Sequence, residues 1–181
     1  MAELKQEQAA KKGDLRMIAL KIEDLKTFTA QLFMGETFDY WLVREANIVT
    51  FNSFTIDGRI RQGYYSDEEL EMNRIEEFSS WKTLRPFCYS LIRGRKLPES
   101  FQITLQLSPE ENEKFIRRVK PDLPADQIAA LYLNIRYENH AAACVTGTSL
   151  KIFMLDKQIE QEWDETVRRY FRKLQIPYVE V

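Results

Sequence analysis

The chain has 181 residues, 44% hydrophobic and 30% charged, globular proportions for one ordinary domain that buries roughly 70% of its unfolded surface without a staple. A net charge of −2 excludes a global basic field that would draw the protein to nucleic acid or an anionic membrane, leaving only a local patch for such a role. No apolar run approaches the ~18 residues of a membrane span, no signal-peptide stretch opens the chain, and two lone cysteines in apolar surroundings, Cys88 and Cys144, point to a reducing, cytoplasmic setting.

Residues 1–16 are polar with mixed charges and read as a disordered or weakly helical tail, so a single α+β domain is expected over 17–181. Ile18, Leu20 and Ile22 alternate with Ala19 and Lys21, the pattern of a half-buried strand. Leu25, Phe28, Leu32 and Phe33 follow at helical spacing and stop at Gly35. Residues 38–43 then read as a strand and Glu45-Ala46-Asn47 as a turn. Residues 48–51 and 53–56 read as two more strands, closed by Asp57-Gly58. The result is a first βαβββ unit over 17–63.

A helical insert is expected over 66–96. Ser66-Asp67-Glu68-Glu69 is a capping box, and Trp81, Leu84, Phe87, Cys88, Leu91 and Ile92 form an apolar helical stripe ended by Gly94. Pro86 should start a helix or kink one already running. The second half repeats the order of the first. Phe101, Ile103, Leu105 and Leu107 alternate with polar residues, and Ser108-Pro109-Glu110-Glu111 is a capping box with proline at the first helical position. A strand of alternating residues reaches Tyr137, Asn139-His140 turns the chain, and strands at 141–145 and 150–154 are separated by Gly147. A second βαβββ unit over 101–155 follows from this. The last helix, 156–174, starts at Asp156 as its N-cap and carries Ile159, Trp163, Val167, Phe171 and Leu174 on one stripe; an edge strand at 178–181 is expected after it. The fold class read from the pattern is α+β: duplicated βαβββ units, mostly antiparallel sheet with helices packed on it, joined by a helical insert.

Chemistry is conspicuous by what is missing. The single histidine, His140, sits in a hairpin turn, which excludes two-histidine zinc sites; no CxxC, glycine-rich phosphate loop or nucleophile elbow is present. No catalytic residue, metal ligand or cofactor is assigned. The carboxylate pairs Glu68/Glu69, Glu76/Glu77 and Glu110/Glu111 fit solvated helix starts. Two basic clusters, Arg59 and Arg61 beside Tyr64-Tyr65, and Arg93, Arg95 and Lys96 around Gly94, could meet phosphates. Solvated loops and cations at the negative end of a helix explain the same residues and are preferred, given the negative net charge.

The stretch 81–94, WKTLRPFCYSLIRG, with its continuation through Leu97-Pro98 to Ser100-Phe101, resembles the signature of a bacterial family of unknown function; so do residues 17–22 and 50–58. The resemblance spans most of the chain after residue 16 and implies a self-contained domain, with no activity or site residues attached. In architecture alone, two βαβββ units are similar to a processivity-clamp domain. Helices as acidic as 23–34 and as mixed as 109–119 do not suit DNA encirclement. The expected function is a non-catalytic binding or protein-interaction module, with a protein partner or a second copy and no membrane. The rivals are a nucleic-acid-associated module using Arg59, Arg61, Arg93, Arg95 and Lys96, and a histidine-independent enzyme.

Overall fold

The computed structural model describes residues 17–152 and 157–181. The tail 1–16, residues 153 and 154 of the expected strand 150–154, and Asp156 as helix cap lie outside the described residues. In chain order the elements are β1 (Ala19–Ile22), α1 (Leu25–Phe33), β2 (Leu42–Val49), β3 (Ser53–Asp57), α2 (Asp67–Met72) and α3 (Trp81–Ile92). They continue with β4 (Ser100–Gln106), α4 (Pro109–Val119), β5 (Ile128–Glu138), β6 (Ala141–Leu150), α5 (Gln158–Lys173) and β7 (Tyr178–Glu180). The strands form one open sheet of order β3-β2-β4-β5-β6-β1-β7, antiparallel at every pairing. The α+β class is thus met.

Strand alternation decides which face is covered. One row across the sheet joins Leu20, Cys144, Ile135, Ile103 and Ala46, all fully buried. Onto this face pack Phe28 and Leu32 of α1, Trp81 of α3, Ile116 of α4, and Trp163 and Phe171 of α5, which together make one core. The neighbouring row, Lys21, Ala143, Arg136, Gln102, Asn47 and Thr55, is polar apart from Ala143, and faces the open side. A sheet with one wet and one dry face is the expected outcome of hydrophobic-in, polar-out strands.

Among the described residues, each expected βαβββ unit shows three strands in place of four. Glu45-Ala46-Asn47 is no turn: β2 runs through it, and a register shift between Val43 and Glu45 keeps Val43, Ala46 and Ile48 on the buried face. The actual turn is at 50–52. Likewise Gly147 does not interrupt the chain between separate strands; it lies inside β6, opposite Tyr132. Both halves are therefore β-α-β-β in order, but they are placed differently. β4 pairs directly with β5, whereas β4, β5 and β6 all lie between β1 and β2, so the strand order carries no two-fold repeat.

The insert helices form as expected, with local differences. Ser66 and Glu69 close the reciprocal capping box of α2. At α4 only half of one forms: Ser108 accepts from the Glu111 N–H, while the Glu111 carboxylate turns to Lys114. Pro86 lies inside α3, which runs on through it, and Phe87 points outward at 63% exposure, leaving Trp81 and Cys88 as the fully buried residues of that helix. The Trp81 indole donates to the Leu32 carbonyl at 2.7 Å, tying α3 to α1. Gly58 lets the chain lie against β2, since a Cβ there would stand 1.7 Å from the Val43 carbonyl oxygen.

Candidate functional site

Helix α4 crosses one end of the sheet, directly after β4. Its amphipathic stripe puts Asn112, Phe115 and Ile116 inward, with Val119 half-buried on the same side. A cleft opens on each of its sides, and Leu107, the first residue past β4, lines both.

The first cleft, about 580 Å³, lies between α4, α5 and the loop that carries Tyr40 and Trp41. Its volume falls in the usual range for ligand sites. Phe115 stands edge-on to Trp163 at 5.8 Å between ring centroids, and Trp41 contacts Trp163 at 6.1 Å and Tyr170 at 5.8 Å. The polar tips of the Trp41, Tyr170 and Trp163 rings are all engaged within the protein. The Trp41 indole donates to the Tyr170 hydroxyl at 3.3 Å, which donates to the Thr37 carbonyl at 2.6 Å, while the Trp163 indole donates to the Tyr132 carbonyl at 3.0 Å. Burial also raises the Tyr170 pKa, keeping that phenol a neutral donor.

Three tethers fix the walls. The Arg85 guanidinium of α3 grips Asp39 through two hydrogen bonds, of 3.0 and 3.1 Å, and reaches the Met34 carbonyl at 3.2 Å, which holds the loop. Asp164 of α5 accepts from the Thr146 hydroxyl at 2.5 Å, and that hydroxyl oxygen accepts from the Ile18 N–H at 3.2 Å. Burial raises the Asp164 pKa above its ordinary value, against the lowering effect of the Thr146 hydrogen bond. At the rim, Lys114 lies 2.8 Å from Glu111 and 2.9 Å from Glu110, and these contacts, led by Glu111, raise its pKa. Arg118 lies over the Phe115 ring at 5.4 Å. Tyr40, 93% exposed, forms the lip.

The second cleft, about 530 Å³, lies at the end of β4 on the other side of α4. Gln106 sits in register between Leu42 of β2 and Tyr132 of β5. Asn112 faces the same cleft from α4. Both side chains are buried, and the carbonyl oxygens Oε1 and Oδ1 have no hydrogen-bond partner. A buried polar atom in that state costs about 1–3 kcal/mol. Arg44 and Lys151 stand at the mouth.

The structure divides the expected basic residues into two groups. Arg59 is paired with Glu77 at 2.6 Å and Arg61 with Asp57 at 3.4 Å, close to where Gly58 bonds Arg44 of β2. Arg93 caps α3, and Arg95 and Lys96 follow in the loop whose Glu99 bonds Val49 at the other end of β2. Five residue steps of strand separate these anchor points, roughly 17 Å at 3.4 Å per step. The backbone anchors of the two groups therefore lie toward opposite ends of β2. His140 occupies its turn in the left-handed region, at φ 61°, next to Asn139 at 50°. Burial pushes the Cys88 thiol up to about 12 and raises that of Cys144, so neither is a ready nucleophile. Among the described residues, no three His, Cys, Asp or Glu side chains converge as metal ligands, and no helix is long and apolar enough to cross a membrane.

Residues missed in the sequence include Tyr40, Arg44, Gln106 and Asn112. One signal was visible: Asn112 stands on the apolar stripe of Phe115, Ile116 and Val119, where a polar residue is out of place. Gln106 continued the polar series Gln102 and Thr104 and looked solvent-facing; its burial depends on what packs beside the end of β4.

The model of a family described as "Family of unknown function (DUF5721)" matches residues 31–179. The chain belongs to this family. No curated protein and no solved structure matches it.

Proposed function

We propose that this family member is a non-catalytic binding module that takes up an apolar, ring-bearing group of a protein partner in the aromatic cleft between α4 and α5. The observation that carries this reading is the closed hydrogen-bond chain Trp41–Tyr170–Thr37. A cleft whose polar groups are already engaged offers ring faces and shape, with no group poised to transfer a proton or attack a substrate. Tyr40 at the lip supports a protein as the occupant, because a large ring exposed at 93% beside a preformed hollow is the kind of anchor that interfaces use. Two free, buried cysteines support a reducing compartment such as the cytoplasm.

The test replaces Tyr40 by the photo-crosslinker p-benzoylphenylalanine in cells, with the same replacement at Phe51, exposed at 85%, as the control. The reading expects one discrete adduct at position 40. Excess unmodified protein should compete for it, and excess Thr166→Trp, whose added ring fills the cleft, should not. No adduct at position 40, equal yield at position 51, or equal competition by the filled variant would each overturn it.

A further inference from the structure

The cleft at the end of β4 contains a deficit of hydrogen bonds that the fold does not make good. Gln106 and Asn112 are 7% and 8% exposed, so each is more than nine-tenths buried. Their side-chain carbonyl oxygens are without partners, and both residues line the cleft. A leucine at either position would fill similar space with no deficit. Buried polar groups left open in this way call for a partner from outside the chain.

Charge at the mouth points the same way. Arg44 and Arg59 both lie over the Phe78 ring, at 5.1 and 4.9 Å from its centroid. Arg59 is neutralised by Glu77, but Arg44 has no ion pair among the described residues, and neither has Lys151. Of the acids lining the cleft, Glu77 is paired with Arg59 and Glu113 with Arg117, and Asp126 accepts from Gln127. An unpaired guanidinium steadied by an aromatic ring is suited to gripping a carboxylate through two parallel hydrogen bonds.

We propose that this cleft binds a small carboxylate bearing an adjacent amide, the chemistry shared by an N-acylated amino acid and the C-terminus of a peptide. Arg44 takes the carboxylate. The ligand amide N–H donates to one of the two open side-chain oxygens, and the side-chain N–H groups of Gln106 and Asn112 are donors for the ligand's carbonyl oxygen. The site is separate from the aromatic cleft and stands or falls without it.

The side-chain amide signals of Gln106 and Asn112 in the 15N-labelled full chain provide the readout. They are titrated with N-acetylglycine, N-acetylglycylglycine, the C-terminal amide of the latter, and acetate. Saturable shifts are expected with the two free acids, and binding at least about tenfold weaker for the amidated probe and for acetate. Arg44→Gln should weaken binding about tenfold, and Gln106→Leu should abolish it while leaving the melting temperature unchanged or higher. If N-acetylglycylglycine binds at least about tenfold more tightly than N-acetylglycine, the source is a peptide terminus; near-equal binding assigns the small acylated acid. The proposal is overturned if no probe shifts these signals at millimolar concentration. It also fails if acetate does as well as the acids, or if Gln106→Leu lowers the melting temperature while leaving binding intact.

Discussion

The two clefts beside α4 share Leu107 as a wall, yet they treat their polar atoms in opposite ways. On the α5 side the ring tips of the inner wall are satisfied inside the protein: Trp41 by Tyr170, Tyr170 by Thr37, Trp163 by Tyr132. On the β4 side two amide oxygens are sealed away with nothing to bond. The first arrangement holds a rigid apolar shape, because each group fixes the next. The second leaves free energy unclaimed that a suitable ligand can collect. Stability and binding should therefore separate on the two sides of one helix: polar deletions near α5 should weaken the fold, and those near β4 should not.

The largest effect expected from this contrast is at Asp39. Asp39→Ala would leave Arg85, whose side chain is only 17% exposed, without its partner, and should cost about 3–5 kcal/mol in urea denaturation. The loop wall of the aromatic cleft would loosen with it, visible as altered tryptophan emission from Trp41. A loss under about 1 kcal/mol would show that packing alone holds the wall.

Next comes Tyr170→Phe. Removing one hydroxyl strips both the Trp41 indole and the Thr37 carbonyl of a partner, for a loss of about 1–3 kcal/mol with little change in shape. An unaffected stability would mean that the closed chain does not define this cleft.

Asp164 tests the same wall through pH. Its pKa is raised, so the folded state disfavours the ionised carboxyl. The stability linked to this group is therefore full below the ordinary value of 3.8 and is lost as pH rises through the higher folded value. Asp164→Asn keeps an acceptor for the Thr146 hydroxyl and carries no charge. It should melt higher than the native protein at neutral pH, by on the order of 1 kcal/mol, and the gap should close as pH falls toward 4. A gap that widens on acidification would reverse the sign and show that the ionised form is the one the fold favours.

The smallest effect belongs to the other cleft. Asn112→Leu should change stability by less than about 1 kcal/mol, or raise it, because an unpartnered amide gives way to an apolar group of similar volume. A loss as large as that of Tyr170→Phe would erase the contrast between the two sides.

Much of the fold was legible because it is local. The alternation of Phe101, Ile103 and Leu105 marked β4, Ser66 with Glu69 marked the start of α2, and Asn139-His140 marked the hairpin between β5 and β6. Where the reading went astray, a neighbouring strand overruled a local cue. Glu45-Ala46-Asn47 has turn-like residues, but both β3 and β4 bond to it, and a bulge spares its inward side chains. Gly147 looked like a break, but its place opposite Tyr132 needs no side chain. The candidate sites were scarcely legible. Asn112 gave a hint by sitting on an apolar stripe, while Gln106 and Tyr40 acquire their character only from segments far away in sequence.

By itself, then, the sequence determined the helices, most of the strands, the α+β class and the absence of familiar catalytic motifs, since capping, periodicity and turn chemistry act over a few residues. Tertiary structure alone decided that β1 pairs between β6 and β7, and that Arg59 and Lys96 sit near opposite ends of β2. It also decided that α4 crosses the end of the sheet with one cleft closed in its hydrogen bonding and the other open. Those outcomes depend on which distant strands exclude water from one another, and no short stretch of chain carries that information.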